Sequence, residues 1–241
     1  GRRIRFLEPL STPGDTDLFF TIAKKQWICP LKRPGRTPWK LRAQWPAGAK
    51  KPGIEGYLFP NTYLFFDGDS PTSVLDNVVS EYKNFWRDAF RDRARELNMT
   101  EHEVVTLASI IEGEAIYDNE RPIISGVYHN RLNRGMRLQA DPTIQYIIED
   151  GPRRLLNRDL KIDSPYNTYK YEGLPPGPIN SPGAESLKAA LYPAENEYLF
   201  FVARGDGYHT FTTNEKEHNI AKKQFQKLRR ELRKKKHHKW V

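Results

Sequence analysis

Apolar positions along the chain change period several times, and each change marks an element. Over residues 71–97, Val74, Leu75, Val78, Val79, Tyr82, Phe85, Trp86 and Phe90 recur at helical spacing. That predicts one helix ending before Asn98. Thr100 with Glu103 three residues on is a capping-box signature and opens a helix over about 100–115. Another helix is expected from about Glu120 to Arg134, with Gly135 as its stop. Asp141-Pro142 reads as an N-cap followed by proline at the first helical position. Ser181-Pro182 repeats that grammar ahead of a helix to about Tyr192.

The period then shortens. EYLFFVARGDGYHTFTT (197–213) is two β-rich runs around GDG, the pattern of a hairpin. Thr212 with Glu215 reads as a second capping box, before a final helix from about Asn214 into the basic tail. GYLFPNTYLF (56–65) reads as an extended aromatic segment broken by Pro60. The class is α+β: a mostly helical domain with a small antiparallel β element. Residues 1–52, rich in Pro, Lys, Arg and Trp, are left without a fold.

Charge divides the chain at the same places. Residues 1–52 carry a net +9, residues 53–214 a net −8, and residues 215–241 a net +8. The expected organisation is a basic irregular segment (1–52), a folded acidic domain (53–220) and a basic helical tail (221–241). The overall +9 therefore belongs to the ends, which argues against the central domain as a nucleic-acid binder. No stretch approaches the ~18 apolar residues of a membrane span. A single cysteine, Cys29, excludes an intramolecular disulfide and a thiolate metal cluster.

Chemistry enters at LASIIEGEA (107–115), where two carboxylates follow an apolar turn. On the helix wheel Glu112 shares its stripe with Val105, Ala108, Ser109 and Ala115, and Glu114 shares its stripe with Leu107, Ile110 and Ile111. Neither stripe is plainly polar. Burial disfavours the charged carboxylate, so both acids are expected to hold protons more tightly than usual. Such an acid can donate a proton to a leaving group near neutral pH. Small neighbours leave room for a ligand beside Glu112, which favours it as the active acid. Glu114 is expected to support it, paired with an arginine such as Arg121 or Arg131.

Other polar and aromatic groups could line a cleft. NRLNRGMRLQADPT supplies Asn130, Arg131, Arg137, Gln139 and Asp141. SPYNTYKYEGLPPGPINSPG supplies Tyr166, Asn167, Thr168 and Tyr169 on a loop stiffened by prolines. Aromatic faces and amides of this kind suit sugars. Competing motifs are missing: there is no HExxH, Walker loop, GxGxxG after a strand or G-x-S-x-G elbow.

Six segments together resemble the endolytic murein transglycosylase (YceG-like) family. They are IEGYLFPNTY (54–63), LASIIEGEA (107–115), ERPIISGVYHNRLNRGMRLQADPTIQY (120–146), YNTYKYEGLPPGPINSPG (166–183), LKAALYPAENEYLFFVARGDGYHTF (187–211) and TNEKEHN (213–219). The resemblance implies an enzyme that cuts peptidoglycan glycan strands internally, between N-acetylmuramic acid and N-acetylglucosamine, leaving 1,6-anhydro ends. It maps the catalytic acid to Glu112, and the cleft to the loops at Gln139–Thr143 and Tyr166–Tyr169. Tyr57, in the first segment, joins the substrate-binding candidates. The family works at the outer face of the cytoplasmic membrane, held by an N-terminal membrane helix beside a LysM-like module. Residues 1–52 do not read as that pair, so any anchor is expected outside this chain. Cell-wall synthases are the implied protein partners, and neither a metal nor an organic cofactor is implied. Two rivals remain: a hydrolytic muramidase, and a peptidoglycan-binding scaffold without catalysis.

Overall fold

The computed structural model describes residues 2–5, 55–65, 70–149 and 153–238. Its helices are α1 (Pro71–Phe85), α2 (Asp88–Glu96), α3 (Glu101–Glu114), α4 (Arg121–Asn133), α5 (Asp141–Ile147), α6 (Ala184–Leu191) and α7 (Glu215–His238). Two antiparallel pairs complete it: β1 (Arg2–Arg5) with β2 (Thr62–Phe65), and β3 (Phe200–Ala203) with β4 (His209–Thr212). The expected α+β class holds. Arg2–Arg5, within the segment left without a fold, forms a strand that pairs Arg3 with Leu64.

α3 is the central element. The capping box at its start is present, with Thr100 accepting from the Glu103 amide and Glu103 accepting from the Thr100 amide. Every residue from Val104 to Ile111 is buried, so this helix is covered all round rather than on one stripe. It packs against α6 and α4, with α5 at its C-terminal end and α2 near its start. Ser109 holds the connection before α6 in place. Its hydroxyl accepts from the Ile179 amide (3.0 Å) and its carbonyl accepts from Asn180 Nδ2 (2.8 Å).

The helix expected over 71–97 is two helices. The chain turns at buried Trp86, which leaves helical geometry at ψ 79°. Positions five apart lie on different faces of one straight helix. The turn brings Phe85 and Phe90 together as stacked rings 4.8 Å apart, and no Gly or Pro marks it. The predicted end before Asn98 is correct. Asn98 takes φ +54°, and the Met99 amide closes onto the Ala94 carbonyl. Gly135 ends α4 the same way, at φ +63°.

Three caps differ from expectation. Asp141 is the first residue of α5 and Ala140 its cap. α6 starts at Ala184 behind Gly183, while the Ser181 hydroxyl accepts from the Gly56 amide instead. Asn214 caps α7 through the Glu217 amide (2.9 Å), and Thr212 belongs to β4. Asp141 and Ser181 use their side chains elsewhere in the fold, and the Thr212 side chain is buried in β4. α7 is also continuous across the expected boundary at residue 220. Its first turns belong to the domain, with His218 stacked on Phe200 (5.1 Å).

Candidate active site

The last turn of α3 presents Glu112, Gly113 and Glu114 to different neighbours. Gly113 sits where a Cβ would lie 2.7 Å from Pro142, so only glycine lets the start of α5 approach α3 this closely. That approach sets Asp141 beside Glu114. Behind it the chain kinks at Gln139, a non-glycine residue at φ +50°. The kink is held from the loop opposite: the Gln139 amide donates to the Thr168 carbonyl (3.0 Å), and the Ala140 amide to Thr168 Oγ1 (3.0 Å). Strain of this kind persists only where its surroundings fix it, and it gathers at functional sites.

A cavity of about 340 Å³ opens on this corner, lined by Glu114, Arg131, Gln139, Asp141 and Tyr169 on one side. Strand β3 (Phe201, Val202 and Ala203), His209 and the first turns of α7 line the other. Glu114 Oε1 accepts from the buried Tyr128 hydroxyl (3.0 Å). Burial lifts the Glu114 carboxyl to about 7, and the Asp141 charge adds in the same direction; the Tyr128 bond and Arg131 oppose it. Asp141 accepts in turn from Tyr169 Oη at 2.5 Å. Arg131 is buried and spends its donors on the carbonyls of Leu199 (2.6 Å) and Leu138 (2.6 Å). It therefore ties the cavity walls together and presents charge to Glu114 without a direct bond.

Glu112 has a different setting. Its Oε2 accepts from Ser186 Oγ (2.7 Å), the Gly183 amide (3.1 Å) and Arg121 Nη1 (3.1 Å). Arg121 is buried, and it also bonds Asp118 (2.8 Å) and Ser186. The start of α6 and Arg121 thus hold Glu112 from one side, and its side chain stays 31% exposed. Of the two arginines expected near Glu114, Arg121 binds Glu112, and Arg131 acts on Glu114 through its charge.

The cavity gathers Glu114, Arg131, Gln139, Asp141 and Tyr169 from the sequence candidates, and the others lie outside its lining. Asn167 is fully buried, donating to the carbonyls of Leu160 and Ile162 and capping the Tyr169 amide, so it builds the turn that carries Tyr169. Asn130 fastens α4 to the carbonyls of Asn196 and Tyr198. Tyr57 is buried and bonds His102 Nδ1 (2.7 Å), and Tyr166 packs on Tyr146 (4.9 Å). Arg137 reaches the Tyr169 carbonyl (3.5 Å).

Sequence reasoning missed the far wall. His209 is fixed by Glu120, which accepts from both its amide and its Nδ1 (2.9 Å each). His218 lines the cavity with its buried Nδ1 unpartnered. No short motif links these histidines to α3; only the hairpin's return brings them there. Among the described residues no cluster of His, Cys, Asp and Glu could hold a metal ion.

A family model described as the YceG-like family matches residues 17–224. The endolytic murein transglycosylase of Bacillus subtilis (strain 168) is 41% identical over 172 residues, covering 71% of this chain and 48% of that protein. The endolytic murein transglycosylase of Streptococcus pneumoniae serotype 2 is 33% identical over 182 residues, covering 70% and 32%. The chain thus spans about half the length of the first relative and about a third of the second. The crystal structure of a protein described as yceG-like, from Listeria monocytogenes, is 40% identical. It superposes with a TM-score of 0.62 over 69% of this chain and 54% of that one.

Proposed function

The chain belongs to the YceG-like family, and we propose that its cavity is the active site of a lytic transglycosylase acting within peptidoglycan glycan strands, with Glu114, in place of the Glu112 that the family resemblance maps, as the single acid and base. One observation carries the assignment. Glu114 faces the cavity with a carboxyl raised to about 7, while Glu112 is held by Arg121, Gly183 and Ser186.

The proposed sequence needs one carboxyl. Protonated Glu114 gives its proton to the glycosidic oxygen between N-acetylmuramic acid and N-acetylglucosamine, and that C–O bond breaks. Positive charge develops at the muramyl C1, near the Asp141 carboxylate. The muramyl C6 hydroxyl attacks C1 and gives its proton to the Glu114 carboxylate. The product is a 1,6-anhydro end, and the acid is restored without water. Tyr128 orients the donor by holding Oε1, and Tyr169 steadies Asp141. An acid with a proton affinity near the working pH suits both halves of this cycle.

A second reading has an observation behind it: two carboxylates face one cavity. A hydrolytic muramidase would use Glu114 as acid and Asp141 to activate water or attack C1. Mass spectrometry of products from uncrosslinked glycan strands separates the two. Anhydro ends, one water lighter than reducing ends, support the lyase, and reducing ends support hydrolysis. If strands bind and neither product forms, the scaffold reading takes their place. The envelope location, the synthase partners and membrane anchoring belong to the same proposal. Among the described residues no helix is long and apolar enough to cross a membrane.

A further inference from the structure

The hairpin continues beyond the cavity wall. Ala203 and His209 form the last pair of the β3–β4 ladder, and both line the cavity. From that pair the turn 204–208 projects outward with Gly205 at φ +98° and Gly207 at φ +93°. At its closing end Tyr208 stacks on Tyr117, with ring centres 4.3 Å apart and planes 20° from parallel. Tyr117 comes from the segment just after α3. It lies three positions beyond Glu114, a reach of at most about 11 Å.

The pair is built with care for a surface feature. A Cβ on Gly207 would lie 2.8 Å from the Tyr117 ring, so the glycine lets the turn close onto the aromatic face. Arg204 covers the Tyr208 ring at 6.0 Å, and Tyr117 Oη reaches the Asp206 carbonyl (3.5 Å). Glu120 pins His209, fixing the hairpin to the same connector that carries Tyr117. Yet Tyr117 stays 39% exposed and Ile116 beside it 66% exposed. Around this apolar ledge stand exposed polar groups, namely Asp118 and the Arg204–Asp206 pair. A rigid aromatic face with hydrogen-bonding groups at its edge matches a pyranose ring, which offers C–H bonds on its faces and hydroxyls around its rim.

We propose that Tyr117, backed by Tyr208, is a stacking platform for a sugar unit of the glycan strand, outside the cavity and adjoining the bond cut at Glu114. The inference rests on the transglycosylase reading for its substrate class, but it is a claim about binding. A strand lying along β3 would put one unit in the cavity and rest a neighbouring unit on Tyr117. The platform would then favour strands over short fragments, because a fragment filling only the cavity never reaches it.

The test is glycan binding, measured by calorimetry on the full chain with purified uncrosslinked strands. Tyr117→Ala should weaken binding of long strands roughly three- to tenfold, and Tyr117→Phe should keep it within about twofold of wild type. KM for long strands should rise in Tyr117→Ala while kcat stays near wild type. Unchanged strand affinity in a folded Tyr117→Ala protein overturns the proposal, and it assigns the stack to holding the hairpin turn. If Glu114→Gln remains active while Tyr117→Ala binds poorly, the platform stands and the acid has been misassigned. Wild-type protein that binds no strand overturns both.

Discussion

Glu112 and Glu114 stand two residues apart on the last turn of one helix, and their neighbours are opposite in kind. Glu112 meets donors: an arginine, a hydroxyl and an amide. Glu114 meets one hydroxyl, a neighbouring carboxylate and open cavity. Positions i and i+2 on a helix do not face each other, so a single turn can join two elements with one acid and arm a site with the next. Replacing each by Gln should separate them widely. Glu114→Gln should cut strand cleavage by about 10²- to 10⁴-fold, with the fold intact by circular dichroism. Glu112→Gln should keep cleavage within about tenfold but lose roughly 1–3 kcal/mol in urea unfolding, because buried Arg121 loses one of its two carboxylate partners and keeps only Asp118. The reverse pattern would return the acid to Glu112.

Proton linkage sharpens the contrast. The Glu114 carboxyl holds its proton up to about 7 in the folded chain, against 4.5 for an ordinary glutamate. The folded value is the higher one, so this group's contribution is complete below about 4.5 and is lost as pH rises through about 7. The full loss is at most about 3 kcal/mol. Glu114→Gln should flatten that part of the stability–pH curve, and Glu112→Gln should leave it in place. Cleavage by the protonated acid should decline over the same rise in pH. Asp141→Asn removes one of the charges that raise Glu114, so the decline should move to lower pH. An unmoved decline would uncouple the two acids.

Gly113 stands between the two acids, and it tests whether backbone approach sets Glu114's surroundings. In Gly113→Ala the new methyl meets the Pro142 ring at under 3 Å. The variant should lose about 1–3 kcal/mol by overpacking. The pH decline should shift with it, as Asp141 is pushed from Glu114. A stability loss with an unmoved decline would mean that the approach is only packing.

Much of this was legible from one-dimensional pattern. The capping box at Thr100, the stop at Gly135 and the hairpin around GDG are local features with local causes, and all three are present. The break at Trp86 was not legible, because its reason is a ring contact that forms only after the chain has turned. The site shows the same division. A wheel sees a helix's own neighbours, and around Glu112 those are small residues. The groups that bind Glu112 there, Gly183, Ser186 and Arg121, come from 9 to 74 residues away in sequence. The same limit hid His209 and His218. Tyr169 and Asp141 were readable as cleft residues because the segments that carry them are dense in polar and aromatic groups. Asn167 read identically and proved to be a turn builder, since burial does not show in residue type.

The smallest effect is expected at Gln139, on the far side of the cavity from the histidines. Its φ of +50° is costly for a residue with a Cβ. Gln139→Gly removes that cost, and it also frees the unfolded chain, by about 0.4–1 kcal/mol. The two should nearly cancel, leaving stability within about 0.5 kcal/mol of wild type. The fold should be unharmed, because the kink is held by backbone bonds to Thr168 that the substitution keeps. Any loss should therefore appear in strand affinity alone, through the missing amide at the cavity wall. Thr168→Val is the counterpart. It keeps the carbonyl but removes the hydroxyl that serves the Ala140 amide and Thr143 Oγ1 (2.9 Å), so it should cost about 1–2 kcal/mol. If Gln139→Gly proved the more destabilising of the two, the kink would depend on its own side chain. The loop opposite would then have no part in aiming Asp141 at Glu114.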